Sequence, residues 1–257
     1  MAKYWAVNTT TNTRLFGLIG FPLSHSFSPT FFAEKFAREG ITDAEYSLFP
    51  LANISEFPRL LAENPSLVGL NVTIPHKVSV IPFLTSLSTE AAEVGAVNTV
   101  VINGENRVGY NTDVLGFETS LRRFIGNTSG LKALVLGTGG ASMSVTFVLR
   151  KLKIPYHLVS RTDAHSLVYQ QLIPEVLTQY RLIINTTPVG MLPDIAASPL
   201  LTYTGIGPKH FLFDLIYNPA ETRFLQLGAA LGARTCNGLE MLHCQAEHAW
   251  EIWQKQL

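Results

Sequence analysis

The patterned part of the chain begins with an apolar run, Leu15-Phe16-Gly17-Leu18-Ile19-Gly20, which has strand length and is closed by Phe21-Pro22. Ser28-Pro29 reads as a helix start, serine as N-cap and proline in the first helical position, with Phe31, Phe32 and Phe36 as the apolar face and Gly40 as the stop. The pattern predicts a second strand over 45–51, a helix over 54–63 in spite of Pro58, and a third strand over 68–73 that Pro75 breaks. Ser88 predicts a cap for a helix over 89–94. Two β-prone runs, 97–102 and 107–110, flank Asn103-Gly104-Glu105-Asn106, an Asn-Gly hairpin turn. Beyond Asp113, Leu115, Phe117, Leu121 and Phe124 recur at helical spacing as far as Gly126.

The pattern restarts after Leu131. A buried-type strand over 133–136 runs into the glycine turn Gly137-Thr138-Gly139-Gly140-Ala141 and a helix over 142–152. Further strands are predicted at 155–160, 182–185, 211–215 and 233–236, with a closing helix over 238–253. Alternation of this kind predicts an α/β fold, and 257 residues suffice for two such units.

Composition narrows the partners. Nineteen basic and nineteen acidic side chains cancel to a formal charge of zero, which disfavours nucleic acid or an anionic membrane surface. No apolar run reaches the ~18 residues of a membrane span, and residues 1–13 lack the apolar core of a secretory signal. Cys236 and Cys244 lack C-x-x-C spacing, which points to free thiols and a cytoplasmic location. His25, His76 and His243 lack metal-ligand spacing, so no metal is expected and each reads as a structural or supporting residue.

Chemistry concentrates at two places. Lys77 follows a short apolar strand within Gly69-Leu70-Asn71-Val72-Thr73-Ile74-Pro75-His76-Lys77, with Asn98 and Asn111-Thr112-Asp113 as polar partners downstream. An ammonium beside a fixed carboxylate can exchange a proton with a substrate oxygen; the plainer reading is a solvated lysine. Asp113 likewise reads as a helix cap, a role compatible with facing a cleft. Gly137, Gly139 and Gly140 fit a phosphate cradle at a helix start, although Ser142 stands where G-x-G-x-x-G has its last glycine. At the end of the next strand, Ser160-Arg161-Thr162 offers a guanidinium suited to a 2′-phosphate, which argues for NADP, while Asp163 is the counter-signal, able to face a ribose instead.

Taken together, these residues resemble the shikimate 5-dehydrogenases, NADP-dependent enzymes that reduce 3-dehydroshikimate. The matching blocks are Ser24-His25-Ser26-Phe27-Ser28-Pro29, Asn71 through Lys77, Gly95-Ala96-Val97-Asn98-Thr99, Asn111-Thr112-Asp113, Gly137 through Ala141, Ile184 through Met191, Asp214 through Pro219, and Asn237-Gly238-Leu239 with Met241 and Gln245. The resemblance implies two domains separated by a deep cleft: an α/β substrate domain over 1–112 completed by 236–257, and a Rossmann-type NADP-binding domain over 113–235. It implies that Lys77 and Asp113 form the catalytic pair, that Ser26 and Ser28 with Tyr217 hold the substrate carboxylate, and that Thr73, Asn98, Asp113 and Gln245 bind ring hydroxyls. Gly137, Thr138, Gly139, Gly140, Ala141, Ser160, Arg161, Thr162, Asn185, Leu215, Gly238 and Met241 are the implied cofactor-binding positions.

Three positions depart from the family pattern: Ser160 where asparagine is frequent, His165 where a second arginine is, and Glu240 where glycine is. A quinate-active relative, using NAD or both cofactors, is the alternative, as is a non-catalytic sensor of ligand and dinucleotide. The intact Lys77 and Asp113 argue against the sensor. Shikimate or 3-dehydroshikimate is the expected small-molecule partner, and the chain is expected to act as a monomer or homodimer.

Overall fold

The structure, a computed structural model, describes residues 13–24, 26–162, 166–199 and 202–256. The N-terminal tail to residue 12, His25, Asp163 and His165 lie outside the described residues. The chain divides into two compact units, Met1–Thr112 with Ala246–Leu257, and Asp113–Gln245.

In the first unit, β1 (Arg14–Gly20), β2 (Ala44–Pro50), β3 (Leu67–Val72), β4 (Ser86–Leu87), β5 (Thr99–Asn103) and β6 (Asn106–Tyr110) form one sheet in the order β2-β1-β3-β5-β6-β4. β1 runs parallel to β2 and β3, while β5 is antiparallel to both β3 and β6. The helices are α1 (Ser28–Glu39), α2 (Phe57–Glu63) and α3 (Thr89–Val94). Successive strand residues point to opposite faces, so Leu15, Ile19, Leu70 and Val100 join Phe57 and Leu60 in one core layer, whereas Phe16 and Val101 join Phe32, Phe36, Trp250 and Trp253 in the other. Gly69 is required here: a Cβ on it would lie 2.6 Å from Trp253 Nε1, the group that donates to the Val100 carbonyl at 3.0 Å.

Three local expectations shift. Phe27, not Ser28, is the N-cap of α1; Ser28 is the first helical residue, and its N–H donates to Ser26 Oγ at 3.3 Å. Pro58 falls in the first turn of α2, where its missing N–H has no helical partner to lose, and a 3₁₀ turn over Ile54–Glu56 leads into it. The hairpin register pairs Asn103 with Asn106, so the two-residue turn is Gly104-Glu105, with Gly104 at φ +58°, one residue beyond the Asn-Gly reading. Ser88 caps α3 as expected, accepting the Ala91 N–H at 3.1 Å.

The second unit holds β7 (Ala133–Leu136), β8 (Tyr156–Ser160), β9 (Leu167–Val168), β10 (Leu182–Asn185), β11 (Phe211–Asp214) and β12 (Arg234–Cys236). All five pairings are parallel, in the order β12-β11-β10-β7-β8-β9. Counted within the unit this is the 3-2-1-4-5-6 order of the Rossmann fold, whose strand order reverses between β7 and β10. β7, β10 and β11 are buried along their whole length, as the interior of a parallel sheet covered on both faces requires. The helices are α4 (Asp113–Ile125), α5 (Gly140–Lys151), α6 (Pro174–Gln179), α7 (Arg223–Ala230) and α8 (Leu239–Gln256).

The boundary expected at residue 236 falls instead at Ala246, inside α8. Gly116 of α4 explains the difference, since a Cβ there would lie 2.7 Å from the Met241 carbonyl oxygen and 3.3 Å from Gln245 Cβ. That close packing ties the first turns of α8 to α4. β9, α6 and α7 are elements beyond those the pattern predicts; for α7 the signal is present, Thr222 as cap with Phe224, Leu225 and Gly228 on the buried side.

Candidate functional site

In the first unit Ser26 lies on the loop after β1 and Ser28 opens α1, Thr73 and Lys77 follow the carboxyl end of β3, and Asn98 immediately precedes β5, its carbonyl accepting the Val72 N–H at 2.8 Å. Ser26 Oγ accepts the Ser28 N–H, which leaves the Ser26 proton for an oxygen ligand at the start of α1, where helix N–H groups favour an anion. Thr73 is anchored by its N–H to the Ile19 carbonyl at 2.9 Å, and its methyl sits where a Cβ on Gly20 would otherwise be, 2.4 Å away. Lys77 is half-buried, and its carbonyl accepts the Val97 N–H at 2.7 Å. His76 is buried, with Nε2 bonded to the Leu51 carbonyl at 2.6 Å and Nδ1 3.4 Å from Ser79 Oγ, so it braces this loop. Among the described residues no group of His, Cys, Asp and Glu could hold a metal ion.

A buried amide network fixes the segment leading to Asp113. Asn98 Oδ1 accepts the Thr112 N–H at 2.7 Å, and Asn98 Nδ2 donates to Thr112 Oγ1 at 2.9 Å. Asn71 Oδ1 accepts the Tyr46 hydroxyl at 2.8 Å, while Asn71 Nδ2 reaches Thr99 Oγ1 at 3.3 Å, and Thr99 in turn donates to Asn98 Oδ1 at 3.2 Å. Burial pushes the Tyr46 phenol well above its ordinary range, opposed by a hydrogen bond to Ser28. Asn111 Nδ2 donates to the Ala96 carbonyl at 2.8 Å. Asp113, also buried, opens α4 as its first helical residue.

In the second unit, Gly137 directly follows β7 with φ +108°, and a Cβ there would strike Thr186 Oγ1 at 2.8 Å and Thr187 Cγ2 at 2.9 Å. Gly139, the extended N-cap of α5, has open space where its Cβ would be, so a ligand can approach the backbone there. The amides of Gly140 and Ala141 follow at the helix start. Ser142, in place of the third glycine, is buried and its Oγ donates back to the Gly139 carbonyl at 2.7 Å. On the neighbouring strand, Ser160 Oγ accepts the Thr162 N–H at 3.3 Å, and the side chain of Arg161 is exposed. A phosphate cradle with a guanidinium one strand away suits a dinucleotide bearing a 2′-phosphate.

Asn185, expected to bind cofactor, has no exposed surface. Its Nδ2 donates to Asp214 Oδ1 at 3.0 Å, and its Oδ1 accepts both the N–H and the hydroxyl of Thr187, at 3.0 and 2.6 Å. These bonds hold the loop after β10. Asp214, which the sequence reading gave no role, is also fully buried, and burial raises its carboxyl pKa to about 6 against bonds from Thr222, Ile216 and Asn185 that lower it. Gly238 is required, since its Cβ would fall 2.0 Å from the Leu215 carbonyl oxygen. Met241 is buried, Gln245 Nε2 donates to the Leu242 carbonyl at 3.0 Å, and Tyr217 is half-buried on the β11–α7 connection. Glu240, the departure from glycine, forms an ion pair with Arg123. Asp113, Tyr217, Gln245 and the expected cofactor-binding positions all belong to this unit.

The parallel sheet order and the glycine turn together define a Rossmann-type dinucleotide-binding protein. Residues 18–100 match the model of the shikimate dehydrogenase substrate binding domain. The chain is 38% identical over 264 residues to a shikimate dehydrogenase (NADP(+)) of Geobacillus kaustophilus, covering 95% of this chain and 93% of that one. It superposes at a TM-score of 0.81 and 32% identity on the shikimate 5-dehydrogenase of Thermus thermophilus in complex with NADP(H) and shikimate, covering 95% and 94% of the two chains. A quinate dehydrogenase from Corynebacterium glutamicum in complex with NAD superposes at 0.82 with 26% identity, covering 95% and 94%. The chain belongs to the shikimate dehydrogenase family.

Proposed function

We propose that this chain is an NADP-dependent shikimate dehydrogenase, catalysing the reversible reduction of 3-dehydroshikimate to shikimate in the route to chorismate and the aromatic amino acids. The observation that carries this reading is identity of 38%, across 95% of the chain, with an enzyme named for that activity and cofactor. The glycine turn at Gly137–Gly140 and Arg161 support the cofactor, because the first leaves backbone room for a pyrophosphate and the second offers a cation for the 2′-phosphate.

In this reading residues 1–112 with the end of α8 form the substrate domain and residues 113–245 the dinucleotide domain. Ser26 and Ser28, with Tyr217, hold the substrate carboxylate. Thr73, Asn98, Asp113 and Gln245 take the ring hydroxyls. NADPH, when bound, supplies the hydride. As the carbonyl oxygen gains negative charge, the Lys77 ammonium stabilises it and gives it a proton, with Asp113 as the other member of the catalytic pair; in the reverse direction the same pair receives the proton. The amide network behind Asn98 keeps the residue before Asp113 from moving while this happens.

The partners are small molecules. No helix among the described residues is long and apolar enough to cross a membrane, and Cys236 and Cys244 are free thiols. The reading is of a cytoplasmic enzyme acting as a monomer or homodimer. Initial rates with shikimate and with quinate, each with NADP⁺ and NAD⁺, test the proposal. Turnover dominated by shikimate with NADP⁺ is expected. Preference for quinate with NAD⁺ would move the chain to the second reading, which the fold it shares with the quinate dehydrogenase permits. Binding without any change in nicotinamide absorbance would favour a sensor.

A further inference from the structure

Asp214 ends β11, fully buried, and its two oxygens serve three segments at once. Oδ1 accepts from Asn185 Nδ2 at 3.0 Å and from the Ile216 N–H at 3.1 Å; Oδ2 accepts the Thr222 hydroxyl at 2.6 Å. Asn185 relays this hold to Thr187, and Thr186 is pinned to the end of β7 by its N–H and hydroxyl on the Leu136 carbonyl, at 3.0 and 2.7 Å. The loop after β10 is thus fixed against the glycine turn, while the loop after β11 is fixed from Ile216 to the cap of α7. Both loops leave the carboxyl ends of the β10–β12 half of the sheet, the half that in a Rossmann fold faces the second mononucleotide.

We propose that Asp214 is a positioning residue for hydride transfer, acting through Asn185 and the Ile216 amide to hold the two loops that border the nicotinamide. The proposal rests on the dehydrogenase reading above. A carboxylate has acceptor sites on both oxygens for all three donors, whereas an amide has one oxygen and would turn its NH₂ toward one of them. A helix cap alone would not need a buried charge, since Thr222 already caps α7 by accepting the Leu225 N–H.

The test compares Asp214→Asn with wild type in turnover of shikimate with NADP⁺ and in the dissociation constant of adenosine 2′,5′-bisphosphate, which carries adenine and the 2′-phosphate but no nicotinamide. A loss of roughly tenfold or more in kcat is expected, with adenosine bisphosphate affinity within about twofold. Adding Asn185→Ala to Asp214→Asn should cost little further kcat, because the two act along one path. If Asp214→Asn does not fold, Asn185→Ala alone carries the same test. A kcat within about twofold of wild type, a parallel loss of adenosine bisphosphate affinity, or additive losses in the double variant would overturn the proposal. Absence of wild-type turnover would instead remove the functional reading on which it stands.

Discussion

Asn98 holds Thr112 from both sides of its side-chain amide, accepting the Thr112 backbone N–H at 2.7 Å and donating to its hydroxyl at 2.9 Å, with both residues buried. Asn98 lies fourteen residues before Thr112 in the chain, and Asp113, the first residue of α4, follows Thr112 directly. Replacing Asn98 by Ala leaves a buried N–H and a buried hydroxyl without this partner. A stability loss of about 2–3 kcal/mol is expected in urea unfolding, with kcat/KM for shikimate falling at least about tenfold. A variant as stable and active as wild type would show that the lock is dispensable.

Lys77 is half-buried and follows a loop braced by His76. Lys77→Ala should lose most turnover while its thermal midpoint stays within a few degrees of wild type. Lys77→Arg should restore little, because a planar guanidinium is always charged and cannot release a proton. Circular dichroism with steady-state rates separates the two effects; wild-type-like turnover in Lys77→Ala contradicts the assignment.

Arg161 stands exposed at the end of β8. Losing a charge-assisted contact to phosphate is worth about 1.5–3 kcal/mol, so Arg161→Ala should raise the KM for NADP⁺ by about tenfold or more. The KM for NAD⁺ should stay nearly unchanged. An equal rise for both cofactors would place the guanidinium on some group other than the 2′-phosphate.

The strands and the glycine turn were legible because their signals are local. Leu15 to Gly20 and Ala133 to Leu136 are short apolar runs beside glycine, and a parallel interior demands such runs. Ser88 and Gly40 announced helix ends through residue type alone. Gly104, by contrast, could be placed in the turn only by the register pairing Asn103 with Asn106. The supporting polar groups are harder still, since Tyr46 meets Asn71, and Asn185 meets Asp214, only after strands distant in sequence lie side by side. The same holds for Gly116, whose need for a small side chain comes from the Met241 turn of α8. The resemblance named the positions to which the chemistry is assigned; the hydrogen bonds around them became visible only with the fold.

The buried carboxyl of Asp214 also predicts how stability varies with pH. Burial raises its pKa from 3.8 to about 6, more than the bonds from Thr222, Ile216 and Asn185 lower it, and its charge in turn helps raise the Tyr203 phenol. Below pH 3.8 the group is protonated in both the folded and unfolded chain and contributes no difference. Between 3.8 and about 6 the folded chain holds the proton more firmly, so rising pH costs stability, and above that window the ionised form carries the whole penalty, of order 3 kcal/mol. Glu39, Asp43 and Glu118, each held below its usual range by arginine or lysine partners, act in the opposite sense, losing stability as pH falls through the acid range. The Asp214 contribution is isolated by subtraction. Unfolding free energies of wild type and Asp214→Asn, measured in urea from about pH 4 to pH 7, should diverge by about 2–3 kcal/mol, wild type declining relative to the variant as pH rises. A difference that stays constant across that range would mean the carboxyl titrates alike in both states, and that its burial carries no electrostatic cost.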